Sequence, residues 1–213
     1  MIAQDRIALR GLIEEKLRGS RPPTDFSAAL PGGMAPEATS IVRQFYPASP
    51  VPAAVLVPII DREEGLSVLL TQRSAQLKNH AGQISFPGGK VELTDDGPGA
   101  TALRETEEEI GLSRDFVQVV GYMEPHVILT GFWVTPVVGF VRPGFALKLD
   151  QREVDSAFEV PLSHVLDEAN HLSRERKIGD ASVQVYDIPF GSHRIWGATA
   201  GMLMAFYRLL RQA

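Results

Sequence analysis

Hydrophobic residues change their spacing several times along this chain, and each change predicts an element. Over residues 4–18 the apolar positions are Ile7, Leu9, Leu12, Ile13 and Leu17, a helical recurrence, with Glu14 and Arg18 four residues apart. Residues 19–52 lose that period and are rich in proline and glycine, which predicts irregular backbone. Ala53 to Ile60 is an apolar run of strand length, Asp61 to Gly65 a turn, and Leu66 to Thr71 the returning strand. Gln83 to Phe86 reads as a strand running into a tight turn at Pro87-Gly88-Gly89. From about Gly99 or Ala100 a helix begins, with Ala100, Leu103 and Ile110 facing a core. Gly111 ends it, because glycine takes the left-handed turn at little cost. Phe116 to Glu124 and Phe132 to Val141 are further strands, with a loop from His126 to Gly131 between them. Pro161 suits the first turn of a short helix, Leu162 to Asp167, and Ser182 to Ile188 alternates as a strand. Ile195 to Leu210 reads as an amphipathic helix with Met202, Leu203, Phe206, Leu209 and Leu210 on its apolar face. There Arg208 and Arg211 complement the C-terminal dipole.

Strands mixed with helices front and back predict an α+β fold, a mixed sheet between helices. The pattern divides at residue 52 into an N-terminal extension, a helix plus a Pro/Gly-rich segment, and a main domain over 53–213. The extension is expected to cover either that domain or a partner subunit, which leaves a homodimer open. A hydrophobic content of 44% is enough for a sizeable core. The net charge of −5 argues against a general nucleic-acid binder, and an anionic substrate then needs local positive groups or metal ions. With no cysteine, disulfides, thiolate zinc sites and a cysteine nucleophile are excluded, which fits the cytoplasm. No apolar run approaches the roughly 18 residues of a membrane helix. No signal core opens the chain, Asp5, Glu14 and Glu15 argue against a transit peptide, and Arg211-Gln212-Ala213 is not the peroxisomal tripeptide.

The chemistry concentrates in Arg104-Glu105-Thr106-Glu107-Glu108-Glu109. Glu105, Glu108 and Glu109 stand at i, i+3 and i+4, which puts the carboxylates on one helix face a turn apart. Like charges so close repel, and a divalent cation among them removes the repulsion. The ligands on offer are all oxygens, which favours Mg²⁺ or Mn²⁺ over zinc. Arg104, four residues before Glu108, is placed to hold one carboxylate. On the carboxylates alone, an acidic solvated helix face competes on even terms. The ordered string R-E-x-x-E-E-x-G-L after P-G-G weighs against it. Two other motifs fail: a P-loop reading of Lys90 needs glycine where Ile84 stands, and no G-x-S-x-G elbow is present. His126 reads as a loop or core histidine, with no second histidine at ligand spacing.

The stretch Phe86 to Leu112 resembles the Nudix box: G, five residues, E, seven residues, R-E-U-x-E-E-x-G-U, with U apolar. Arg104, Glu105, Glu108, Glu109, Gly111 and Leu112 match it. Counted from Gly89, the first acid is Asp95 rather than Glu, and the gap to Arg104 is one residue too long. Counted back from Arg104, the acid is Asp96 and the glycine position holds Lys90. Thr106 stands where an apolar residue is usual. Neither aspartate is taken as a ligand. A second pattern, L-L-T-x-R-[SA], three residues, R, three residues, G, three residues, F-P-G-G, is similar to the extra motif of coenzyme A pyrophosphatases. Leu69, Leu70, Thr71, Arg73, Ser74, Gly82 and Phe86 to Gly89 match, with Lys78 in place of arginine. Ile195-Trp196-Gly197 to Leu203 resembles a C-terminal segment of that branch more weakly.

The resemblance implies an α/β/α sandwich and a metal-dependent hydrolase that cuts a phosphoanhydride. It implies metal ligands at Glu105, Glu108 and Glu109, and substrate contacts at Arg73, Lys78, Gly88 and Gly89. Arg104 then organises the carboxylates, Glu108 or Glu109 serves as base, and Glu153 is an outside candidate. For Glu153, and for Arg73 and Lys78, ordinary solvated charge is the alternative. The substrate implied is coenzyme A or a thioester of it, giving 3′,5′-ADP and 4′-phosphopantetheine or its acyl form. Two rivals stand beside it: a Nudix enzyme for another nucleotide, such as ADP-ribose, NADH or a nucleoside triphosphate, and a catalytically silent nucleotide-binding domain.

Overall fold

A computed structural model of the chain describes residues 5–25, 29–46 and 48–212. The elements are α1 (Arg6–Leu17), β1 (Leu30–Pro31), α2 (Thr39–Val42), β2 (Val51–Arg62), β3 (Gly65–Arg73), β4 (Ile84–Ser85) and β5 (Gly88–Lys90). After these come α3 (Pro98–Ile110), β6 (Val117–Tyr122), β7 (His126–Ile128), β8 (Phe132–Val141), β9 (Val154–Pro161) and α4 (Leu162–Val165). The last are β10 (Leu172–Ile178), β11 (Ala181–Phe190), β12 (His193–Trp196) and α5 (Gly197–Arg211). No helix among the described residues is long and apolar enough to cross a membrane.

The main sheet runs β1-β7-β8-β2-β3-β4, with β5 on β2, β6 on β8 and β9 on β3. β2 and β8 pair in parallel from Val51 and Phe132 to Ile60 and Val141, and most other pairs are antiparallel, so the sheet is mixed. Side chains of β2 alternate between two cores, as strand geometry dictates. Ala53, Val57 and Ile59 pack with Leu9, Ile13 and Leu17 of α1 and with Met202, Leu203, Phe206 and Leu210 of α5. Ala54 and Leu56 face the other way, onto Ala102 of α3 and Val137. Helices on both faces of a mixed sheet make the α/β/α arrangement and α+β class expected above. Each fully buried aliphatic side chain stabilises it by about 1.5–3 kcal/mol.

A smaller antiparallel sheet, β10-β11-β12, packs on α5. Residues 30–35 join it to the main sheet. β1 lies parallel to β7, and Met34 then bridges Val185 of β11, flanked by Ala35 N–H to Gln184 O and Tyr186 N–H to Gly33 O. Gly33 fits there because a Cβ would stand 2.3 Å from the backbone of Gly197.

Several expectations need correcting. Pro87-Gly88-Gly89 is not a tight turn, since Gly88–Lys90 forms β5, antiparallel to β2. Gly88 has φ +152° and a Cβ there would meet Ala54 O at 2.3 Å, so the glycine permits a close strand approach. His126 to Ile128 is a strand rather than a loop, held between β1 and β8. His126 is a core residue, and burial pushes its imidazole pKa down to about 4. Ile195 and Trp196 end β12, and the last helix starts only at Gly197, whose φ of +64° makes the corner. Pro161 closes β9 and precedes a helix of one turn. In α1, Glu14 pairs with Arg10 at 3.2 Å instead of Arg18, Ile7 is exposed, and the expected start at Gln4 lies outside the described residues. β9 and β10 are strands beyond those the hydrophobic spacing predicts. β10 is an outer strand exposed almost throughout, so it has no core face to impose alternation.

Candidate active site

Helix α3 opens at Pro98, whose missing N–H costs nothing in a first turn, and closes at Gly111 in the left-handed conformation. Between them its carboxylates meet three different environments. Glu109 points at the sheet and is 3% exposed. Its Oε2 accepts the Gly88 N–H at 3.1 Å, and its Oε1 lies 3.8 Å from Nη1 of Arg73. Burial, opposed by the Gly88 N–H, pushes its pKa up to about 7, and the charges of Glu153 and Glu105 push the same way. Glu105 lies against Gly89, where a Cβ would come within 2.4 Å of the carboxylate carbon. Burial raises its pKa too, against the pull of Arg104. Glu108 is the outermost, with its side chain 60% exposed.

Arg104 organises the helix face. Its Nε and Nη2 grip the two oxygens of Asp95, each at 3.0 Å, a bidentate fork. Nη1 donates to Glu105 at 3.0 Å and Glu108 at 3.1 Å, and Nη2 also reaches the carbonyl of Lys90 at 3.1 Å. Asp95 accepts in addition from Thr101 Oγ1 and the Glu92 N–H. Arg104, with these hydrogen bonds, holds the Asp95 carboxyl far below the usual carboxylate range. This accounts for the loose half of the sequence pattern: its acid, Asp95, is engaged in fixing Arg104. Thr106 is buried, and its hydroxyl donates to Ala102 O at 2.6 Å, so the helix absorbs a polar group at an apolar position.

The other candidates distribute unevenly. Arg73, at the end of β3, reaches the site through Glu109. Lys78 is exposed on the excursion 74–83, whose ends are tied by Arg73 N–H to Gln83 O and Gly82 N–H to Arg73 O. Glu153 stands where its charge acts on both Glu105 and Glu109. The backbone places it: its N–H donates to Asp150 O, and its carbonyl accepts from Ser74 N–H at 2.8 Å. Gly88 and Gly89 line the carboxylates themselves. Two contacts escaped sequence reasoning, Asp95 to Arg104 and Arg73 to Glu109. The offset acid in the box was a signal for the first, and nothing local signalled the second.

Among the described residues no group of three acids or histidines is arranged to hold a metal ion, and Arg104 holds Glu105 and Glu108. The donor set is nonetheless all oxygen, on one helix face, and the missing Cβ of Gly89 makes room for the Glu105 carboxylate. A hard divalent cation fits these residues.

The NUDIX domain family matches residues 50–180. The chain belongs to the Nudix family. An Escherichia coli K12 relative, named an uncharacterized Nudix hydrolase, NudL, is 42% identical over 156 residues, covering 71% of this chain and 78% of its own length. The crystal structure of a MutT/nudix family protein from Enterococcus faecalis has a TM-score of 0.50 and 18% identity, covering 83% of this chain and 69% of that one, a likeness of fold. This protein is thus a Nudix hydrolase, an enzyme that cleaves a nucleoside diphosphate derivative. Nudix hydrolases generally require divalent cations, typically Mg²⁺ or Mn²⁺.

Proposed function

We propose that this Nudix hydrolase cleaves the diphosphate of coenzyme A or its thioesters, releasing 3′,5′-ADP and 4′-phosphopantetheine or its acyl form. The observation that carries the reading is Arg73. The L-L-T-x-R-S stretch carries this guanidinium, 3.8 Å from a carboxylate of the catalytic helix, and F-P-G-G supplies the amide bound to that same carboxylate. The two patterns thus meet at one place. Water adds to one phosphorus, the bridging P–O bond breaks, and the leaving phosphate keeps the bridging oxygen. Glu105, Glu108 and Glu109 would hold Mg²⁺ or Mn²⁺, which would supply positive charge to the diphosphate and make a water more acidic. Arg104 fixes the carboxylates, Arg73 and Lys78 bind phosphate, and Glu108, Glu109 or Glu153 accepts the proton from water. A cytoplasmic location goes with this reading, coenzyme A being an intracellular cofactor and the chain free of cysteine.

Incubation with Mg²⁺ and a panel of coenzyme A, dephospho-coenzyme A, ADP-ribose and NADH, with products read by mass, tests the reading. Coenzyme A is expected to be hydrolysed fastest. Excess chelator is expected to stop the reaction and Mg²⁺ or Mn²⁺ to restore it, and full activity in chelator is the contrary result. ADP-ribose cleaved far better than coenzyme A removes the substrate assignment and leaves the Nudix activity.

Arg73→Ala and Lys78→Ala are expected to lower kcat/KM on coenzyme A by about ten- to a hundredfold, the worth of a charge-assisted hydrogen bond. If either cation meets the 3′-phosphate, the loss is smaller on dephospho-coenzyme A. Lys78→Arg is expected to keep or raise the rate, since it restores a bidentate fork. Equal losses on the two substrates exclude the 3′-phosphate contact.

A further inference from the structure

Beside the carboxylates lies a cleft of about 420 Å³ between the C-terminal turn of α3 and residues 148–152. Its wall includes Glu107, Glu108, Gly111, Lys148, Asp150 and Arg152. The charges there are paired off in turn. Glu107 is held by Arg114 at 2.6 Å, Glu108 by Arg104 at 3.1 Å, and Arg152 by Asp150 at 2.5 Å. Lys148 has no acidic partner within ion-pair reach among the described residues.

Its backbone is fixed nonetheless. The Lys148 N–H donates to Ile110 O at 2.8 Å, and the Asp150 N–H donates to Glu109 O at 2.9 Å, so the segment caps the helix that carries the carboxylates. Gly111 makes this contact possible, since a Cβ there would stand 2.9 Å from Cβ of Lys148. Lys148, exposed at the surface on this fixed backbone, thus lines a cleft that shares Glu108 with the catalytic face.

We propose that this cleft receives one phosphoryl group of the nucleotide substrate, with Lys148 as its cationic contact. The inference rests on the diphosphate chemistry of the site and not on coenzyme A in particular. The competing role is electrostatic only, a lysine complementing the negative end of the α3 dipole. That role alters stability slightly and binding not at all.

ADP, titrated calorimetrically into the protein in magnesium buffer, separates the two without turnover. Lys148→Met is expected to weaken ADP about tenfold, Lys148→Arg to stay within threefold of wild type, and a distant control, Arg211→Met, to change nothing. Raising ionic strength is expected to weaken ADP binding more in the wild type than in Lys148→Met. In turnover of coenzyme A, Lys148→Met raises KM by a similar factor with kcat within threefold, while its melting temperature stays near that of the wild type. ADP that binds Lys148→Met within twofold of wild type overturns the inference. If ADP weakens as expected and coenzyme A is not a substrate, the cleft stands and the coenzyme A reading falls. If coenzyme A is cleaved with unchanged KM and ADP affinity in Lys148→Met, the reverse holds.

Discussion

Glu109→Gln is expected to lower kcat by at least about a hundredfold and, in metal-free buffer at pH 8, to make the protein more stable. In the proposed mechanism the rate falls because the substitution keeps the shape and removes the charge assigned to metal binding or proton transfer. Stability moves the other way because Glu109 is 3% exposed and its carboxyl prefers to be neutral in the folded protein. Its folded pKa of about 7 lies above the ordinary 4.5, so the folded state binds more protons between those values. The stabilisation due to the neutral acid is full below about pH 4.5 and lost as pH rises through about 7. Glutamine has no such dependence and still accepts the Gly88 N–H. The gain at pH 8 is on the order of 3 kcal/mol, and near zero at pH 4.5. Melting curves of both proteins in chelator at the two pH values measure it, and Mg²⁺ is expected to narrow the gap by stabilising the wild type. Near-normal turnover removes the catalytic assignment of Glu109, and equal melting temperatures at pH 8 remove the buried-charge argument.

Arg104→Ala is expected to cost both activity and stability. The guanidinium ties Asp95, Glu105, Glu108 and the Lys90 carbonyl together, and its loss leaves the acids facing one another without a cation. Side-chain exposure is 5% for Asp95 and 19% for Arg104, but the cover is their own loop and not the deep core. A loss of about 2–3 kcal/mol is therefore expected, below the range for a broken pair in a core. Arg104→Lys keeps the charge and loses the fork, so it recovers only part. Adding Asp95→Ala to Arg104→Ala is expected to restore much of the stability and none of the activity, because it removes an unpaired charge without rebuilding the carboxylate face proposed to hold metal. The Asp95 pairing contributes stability above the ordinary carboxylate pKa of 3.8, and that contribution is lost as pH falls toward its depressed folded value. Urea titrations of the single and double variants give the coupling. A loss under about 0.5 kcal/mol for Arg104→Ala contradicts the account.

Arg104, Glu105, Glu108 and Glu109 were legible in the sequence because helical spacing alone puts them on one face. The Gly111 stop was legible for a different reason, since a left-handed backbone is a property of a single residue. The apolar faces of α1 and α5 and the long strands β2 and β8 follow from periodicity against a core. β10 escaped because its exposed side chains carry no burial pattern. The strand at Gly88 escaped because glycine signals both a turn and a close approach, and only the partner, Ala54, distinguishes them.

The sequence by itself determined that a helix carries a row of carboxylates beside an arginine, where it stops, and that a mixed sheet lies between helices. Tertiary structure decided how those groups are used. It set Arg73 against Glu109, gave Asp95 to Arg104 beside Glu105 and Glu108, brought Glu153 to the carboxylates, and fastened residues 148–150 to the end of α3. It also placed residues 30–35 between the two sheets. The physical reason is range. Spacing and backbone preference act within a turn or two of chain, whereas these contacts depend on which strand edges and loop ends meet, and that is settled only when the whole core packs.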